Sequence, residues 1–219
     1  MAQIFSRNAN VRFRVIIFVV VALSFAVGWT TYAVFWSPYT TGVGLALQQP
    51  VPFSHKHHVG DDGIDCRYCH SSVEKSPFAG LPSTQVCITC HSQIWTEAPL
   101  LGPVRRSLTT NEPMRWNRVN DLPDFVYFDH SIHLAKGVGC STCHGALDQM
   151  PLTWRSQMLY MKWCLDCHRA PQNFLRPADQ IYDLHWRAPA NQAVLGLQLV
   201  RQYQVDTSGR LTNCSVCHR

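Results

Sequence analysis

Charge is scarce in this 219-residue chain: Asp, Glu, Lys and Arg make up only 15% of it. Leucine, isoleucine, valine and phenylalanine are also sparse outside the N-terminal region. Beyond that region the chain is too polar and too rich in turn residues to close a large side-chain core, so another source of buried apolar surface is required. No cysteine stands alone, which excludes an isolated reactive thiol. No acid–base or nucleophile constellation stands out, which speaks against a self-contained hydrolytic or group-transfer centre. Residues 15–36 carry no charge at all, and residues 37–52 contain no Asp, Glu, Lys or His.

What is present is cysteine in strict pairs. All ten cysteines fall in five copies of C-x-x-C-H: Cys66-Cys69-His70, Cys87-Cys90-His91, Cys140-Cys143-His144, Cys164-Cys167-His168 and Cys214-Cys217-His218. This spacing is the attachment signal of c-type haem. The two thiols add across the two vinyl groups of one haem, and the adjacent histidine sits under the iron as proximal ligand. Zinc ribbons, thioredoxin-like pairs and disulfides also use close cysteines, but none needs a histidine directly after every pair. Five covalently bound haem c groups are therefore expected. As large flat apolar plates they answer the missing core. The expected fold is a mainly irregular and α-helical multihaem cytochrome c, with class III-like haem modules, little β-structure and one N-terminal transmembrane helix.

The polypeptide alone carries a formal charge of +5. Each ferric haem contributes about −1 and each ferrous haem about −2, so the loaded protein is roughly neutral when oxidised and roughly −5 when reduced. The positive charge of the chain is thus no sign of a nucleic-acid partner.

Residues 1–14 hold Arg7, Arg12 and Arg14 and no acid, and read as a cytoplasmic N-terminus. Residues 15–36, "VIIFVVVALSFAVGWTTYAVFW", are long enough to span a bilayer as a helix. Trp29, Tyr32, Phe35, Trp36 and Tyr39 gather at its far end as an aromatic belt. The run is longer than a signal-peptide core and ends in no small-x-small cleavage site, so an uncleaved anchor is expected. The remainder then lies on the periplasmic side of a bacterial inner membrane. Residues 37–52 read as a linker, 53–94 as a first dihaem module, 95–127 as a connecting loop, 128–175 as a second dihaem module, and 176–219 as C-terminal helices with a fifth haem site. The Arg105, Arg106, Arg115 and Arg118 group in the connecting loop reads as a solvated surface or as a partner for haem propionates or a docking subunit. Two short helices broken at Pro189 are expected over 178–205, with an apolar stripe of Val194, Leu195, Leu197, Leu199 and Val200 used for packing.

The two modules are an internal repeat. Phe53-x-His55-x-x-His58 precedes Cys66 and Cys87, and Phe128-x-His130-x-x-His133 precedes Cys140 and Cys164, at offsets of 75, 74 and 77 residues. Gly63 and Gly137 each stand three residues before the first cysteine, at an expected turn. Apart from the five proximal histidines, His55, His57, His58, His130, His133 and His185 remain. The repeat selects His55, His58, His130 and His133 as distal iron ligands. Their three-residue spacing places two imidazoles on one side of a helical turn, able to serve two different haems. His57 breaks the repeat, since Ile132 takes its place in the second module, and reads as a non-ligand. For the fifth iron, Met161, Met150, Met158 and His185 are all candidates, as is an open site.

The order of features resembles the pentahaem membrane-anchored cytochrome c subunit of bacterial alternative complex III. The likeness lies in the single N-terminal helix, "QQPVPFSHKHHVGDDGIDCRYCH", "FAGLPSTQVCITCHSQI", "WNRVNDLPDFVYFDHSIHLAKGVGCSTCHG", "MKWCLDCHR" followed by "NFLRP", and a terminal "CSVCHR". It covers nearly the whole chain. The resemblance implies an electron-carrying, non-catalytic subunit of a membrane quinol oxidoreductase. Its implied partners are an iron–sulfur subunit, integral membrane quinol-binding subunits, a monohaem cytochrome c and a periplasmic acceptor or terminal oxidase. It also implies Met161 as the fifth distal ligand, because a methionine recurs there, whereas the position of His185 is not dependably histidine. Asn120 departs from the pattern, which often has histidine in "W-x-x-V-H". Two other readings use the same features: a stand-alone one-helix menaquinol dehydrogenase feeding a periplasmic reductase, and a multihaem reductase of nitrogen or sulfur oxyanions with an open iron. The lack of ionisable residues in 37–52 weighs against the first of these.

Overall fold

The computed structural model describes residues 4–218, which divide into two compact units, one ending at Val43 and one starting at Gly44. The first unit is built on the helix Ala9–Phe35, 27 residues with a mean hydropathy of 2.2 over its most apolar window. At about 1.5 Å per residue it is roughly 40 Å long, against a hydrocarbon thickness of about 30 Å. It is long and apolar enough to cross a membrane, and none of its residues is buried within the chain. The helix begins six residues before the charge-free run and takes in Arg12 and Arg14. Helical hydrogen bonding is the cheapest way to satisfy the backbone at a membrane boundary, so the helix outruns its apolar segment. At the other end Ser37 and Thr40 hydroxyls both donate to the carbonyl of Val34 at 2.7 Å, and Pro38 starts a separate turn, Pro38–Thr41. The aromatic cluster forms there as expected, with Trp29–Tyr32 and Tyr32–Trp36 ring centroids 6.2 and 6.1 Å apart.

The second unit has no strand among the described residues, only isolated antiparallel bridges at Ala46–Trp154, Val126–His218 and Val138–Leu175. Its helices are short, and each haem motif forms one: Cys66–Cys69, Thr84–His91, Cys140–His144, Met161–Arg169 and Cys214–Cys217. One helical turn puts cysteines three residues apart on the same side, which is what a single tethered plate requires. Gly63 and Gly137 adopt φ of +68° and +84°, the left-handed turn expected of them.

Among the described residues only ten apolar side chains are buried. They make two small clusters: Val73, Leu134 and Ile181, and Leu175, Leu199 and Val200. The polypeptide core is as slight as the composition suggests. Two expectations are corrected in detail. The C-terminal stretch holds one α-helix, Gln192–Gln202, and only a 3-10 turn at Ala178–Gln180. Asp183 accepts from the His185 backbone N–H at 2.8 Å, a local bond that competes with helix ahead of Pro189. Within the surviving helix Leu199 and Val200 are buried and Leu195 packs against their cluster, while Val194 and Leu197 are exposed, so three of the five stripe residues pack. The connecting loop likewise contains a helix, Gly102–Thr110, held by buried Val104 and by a Ser107–Thr84 hydroxyl bond of 2.6 Å. Arg105 braces it by donating to the carbonyls of Thr96 and Ala98.

Candidate haem-binding sites

The repeat is reproduced in three dimensions. Phe53 stacks on His58 at 4.4 Å and meets His55 edge-on at 5.0 Å; Phe128 stacks on His133 at 4.5 Å and meets His130 edge-on at 4.7 Å. One phenylalanine thus sets the planes of two imidazoles in each module. In the second module the pair lies on the α-helix His130–Ala135, capped by the Asp129 carboxylate. In the first it runs into a π-helical turn, Lys56–Asp61.

Each distal imidazole faces one proximal imidazole. His55 opposes His70 at 6.5 Å between centroids with planes 7° apart, and His130 opposes His144 at 6.4 Å and 7°. His133 opposes His168 at 6.2 Å and 28°, and His58 opposes His91 at 6.2 Å and 63°. A metal bound between two imidazole nitrogens needs two bonds of about 2 Å plus two ring radii of about 1 Å, so roughly 6 Å between centroids. The four separations fit a two-sided iron site. They are too long for direct stacking and too uniform for unrelated contacts.

The hydrogen bonds make the same point by a different route. Nδ1 of His58, His70, His91, His130, His133 and His168 donates to the carbonyls of Ser54, Gly80, Ile94, Pro77, Asp129 and Leu211, at 2.6–3.3 Å. Nδ1 of His55 meets the Thr153 hydroxyl at 2.8 Å, and that of His144 meets the Asn120 carboxamide at 3.0 Å. In the six rings whose Nδ1 donates to a carbonyl, Nε2 keeps its lone pair for a metal. Burial first, then neighbouring imidazoles, pushes His55 and His144 down to about 4, and burial likewise lowers His133. All three are held neutral, the form that ligates.

Residues outside the repeat behave differently. His57 is exposed and lies between Asp61 and Asp62, 3.6 Å from each, through Nδ1 and Nε2. His185 directs Nε2 to the buried Asp148 carboxylate at 3.1 Å. Met150 is buried, with its methyl end beside Gly145. Met161 opens the helix that carries Cys164 and Cys167 and is 64% exposed, so its thioether is not committed to the side-chain core. Met158 lies outside any helix. His218 has the Phe125 ring at 5.8 Å and no second imidazole against it. The structure therefore pairs four of the five proximal histidines.

Neighbouring motifs touch in a chain. Tyr68, between Cys66 and Cys69, bonds to Thr89, between Cys87 and Cys90, at 2.8 Å. Cys66 of the first motif and Cys140 of the third lie against each other, and their mutual influence lowers Cys66 and raises Cys140. Arg176, following the fourth motif, donates to Ser141 and Thr142 inside the third. His168 of the fourth bonds to Leu211, just ahead of the fifth. Burial, then the Cys167 and Cys164 thiols, raises Cys143 to about 12; burial, then Cys164, raises Cys167 to about 11. No disulfide joins any of the ten cysteines, and among the described residues no three His, Cys, Asp or Glu side chains converge as a zinc site would require. Sequence reasoning singled out the imidazoles that the structure sets opposite one another. It missed the Nδ1 partners, of which Asn120 and Thr153 are the only side chains.

These features, in helical and irregular segments behind one N-terminal apolar helix, are those that a multihaem c-type cytochrome needs. Comparison with known proteins agrees: residues 126–219 match the family of cytochrome c7 and related cytochrome c. The chain is also 37% identical over 125 residues to the multiheme cytochrome c subunit of menaquinone reductase from Nitratidesulfovibrio vulgaris (strain Hildenborough). That match takes in 56% of this chain and 59% of the length of the relative.

Proposed function

We propose that this chain is the electron-relay subunit of a membrane quinol oxidoreductase of the alternative complex III kind, loaded with five haem c groups. The observation that carries the reading is the set of four opposed imidazole pairs. A haem held on both faces supplies a one-electron iron centre that stays six-coordinate and low-spin, with no open position for a substrate. Such sites suit transfer and not catalysis. The cysteine pairs tether each group, the imidazoles bind from both sides, and the Nδ1 acceptors hold each ring in one tautomer and orientation. The fifth site combines His218 with Met161. Support for Met161 comes from its place on the helix of the fourth motif, which also bonds to the segment before Cys214.

The contacts between motifs give a relay order of second, first, third, fourth, fifth. On this reading the helix Ala9–Phe35 is the anchor and the haem domain lies in the periplasm; Arg12 and Arg14 near the start of that helix support a cytoplasmic N-terminus. The relative serves as a subunit of a menaquinone reductase, which supports a role beside quinone-binding membrane partners. Those partners are an iron–sulfur subunit, integral quinol-binding subunits and a monohaem cytochrome c, with a periplasmic acceptor or terminal oxidase beyond. The test is purification from native membranes in mild detergent, following haem absorbance, with mass spectrometry of what co-elutes. Co-elution of iron–sulfur and polytopic membrane subunits is expected. A chain that elutes alone and is still reduced by quinol is itself the dehydrogenase, and the complex-subunit reading fails.

A further inference from the structure

Of the eight paired imidazoles, His144 is the only one whose Nδ1 meets a carboxamide. As drawn, the Asn120 amide nitrogen faces Nδ1 at 3.0 Å, while Oδ1 is buried with no hydrogen-bond partner. That arrangement places the proton on Nε2, the nitrogen that faces His130 and that iron would need. A half turn of the carboxamide, which leaves its shape unchanged, removes both difficulties. Oδ1 then accepts from Nδ1–H, the buried oxygen gains a donor, and Nε2 is freed for iron.

The surroundings fix this side chain in place. Arg155 donates from Nε to the Val119 carbonyl at 3.2 Å and from Nη2 to the Asp121 carbonyl at 3.3 Å, gripping the residues on either side of Asn120. The next residue, Ser156, donates to the His144 carbonyl at 2.8 Å. One short segment therefore holds both partners of the bond. A backbone carbonyl could do the same job at six of the other rings whatever the residue type; here the sequence spends a side chain on it.

We propose that Asn120 is a positioning residue that fixes the tautomer of His144 and sets the potential of the third haem. The proposal rests on the reading of His144 as an iron ligand. A carboxamide oxygen is a neutral acceptor. An anionic acceptor at the same place would draw the Nδ1 proton, give the imidazole imidazolate character and favour ferric iron; no acceptor would do the opposite. Because the third motif touches the first and is bonded from the fourth, this haem is in the middle of the relay, where its potential sets the height of the central step.

The test uses full-length detergent-solubilised protein carrying Asn120→Asp or Asn120→Leu, in redox titrations followed by electron paramagnetic resonance. Haem content and mass are measured first on the unsubstituted protein. Fewer than five haems there defeats the five-haem reading by itself and leaves the Asn120 bond to be judged on the third haem. One midpoint of the set should move, downward in Asn120→Asp and upward in Asn120→Leu. Each shift should be about tenfold in the oxidised-to-reduced ratio, or about 59 mV for one electron. The other midpoints stay put. Unchanged potentials in both variants, or shifts of the same sign as general loosening would give, overturn the proposal. Should Asn120→Leu fail to retain haem, Asn120→Asp decides alone: a lowered midpoint supports the role, and an unchanged or raised one defeats it.

Discussion

At the scale of single residues, surroundings divide histidines that look alike in sequence. His57 and His58 are adjacent, yet one lies between two exposed carboxylates and the other faces His91. His58→Ala and His130→Ala should each convert one haem to a five-coordinate, high-spin form visible by electron paramagnetic resonance. His57→Ala and His185→Ala should leave the low-spin spectrum unchanged. In the same series Met161→Ala should abolish the weak red absorption band of methionine-ligated ferric haem, which Met150→Leu and Met158→Leu should keep. The opposed imidazoles were legible because a repeated spacing is no accident of packing twice over. Their Nδ1 partners were not, because Ser54, Gly80, Pro77, Ile94, Asp129 and Leu211 act through carbonyl groups that every residue possesses. Thr153 and Asn120 do act through side chains, but they lie 98 and 24 residues from their histidines. Only the oddity of Asn120 within its motif gave any signal.

At the scale of elements, the repeat offsets contain more than they first yield. The step between modules is 75 residues at the first distal histidine and 74 at the first cysteine, so the first module has one residue extra between them. The structure absorbs it in the π-helical turn Lys56–Asp61, where the second module has the plain α-helix His130–Ala135. A π-turn takes one additional residue locally, so the ring separations are kept in both modules, while the second pair differs in tilt, 63° for His58–His91 against 28° for His133–His168. The helix Gln192–Gln202 shows the reverse case, an element limited by its neighbour. A Cβ on Gly196 would run into the carbonyl of Gln172. In an isolated helix Gly-to-Ala is stabilising by roughly 0.5–1 kcal/mol. Here Gly196→Ala should destabilise by about 2 kcal/mol, because backbone on both sides must give way. Differential scanning calorimetry should then show a midpoint lower by roughly 4–8 °C. Helix existence was readable from the apolar stripe; its close approach to residues 171–173 was not, since the contact is made by an absent side chain.

At the scale of the whole molecule, the haem-binding unit has little polypeptide core and is held by cross-braces. His55 of the first module is steadied by Thr153 of the second, and His130 of the second by Pro77 of the first. Tyr182, far along the chain, donates to Glu74 at 2.7 Å. Neither half contains all the groups that orient its own ligands. Equilibrium unfolding of the loaded protein, followed by haem absorbance and by circular dichroism, should give one coincident transition from residue 44 onward. Two separated transitions would mean that the modules are independent. The broad organisation, five haem motifs and an apolar helix, was readable from the sequence. The interlocking was not, because the bonds that produce it join residues 53–108 positions apart.

That interlocking bears on how the protein is made. A chain made from its N-terminus onward presents the Cys66 and Cys87 motifs well before Thr153 has emerged. A haem attached there at that stage would not yet be clamped in its final orientation. The nascent first half is then a sticky, half-finished intermediate, dependent on attachment machinery or a chaperone to shield it until the second half arrives. A truncation after residue 127 would stall at that stage and be cleared by proteolysis, leaving no smaller working cytochrome.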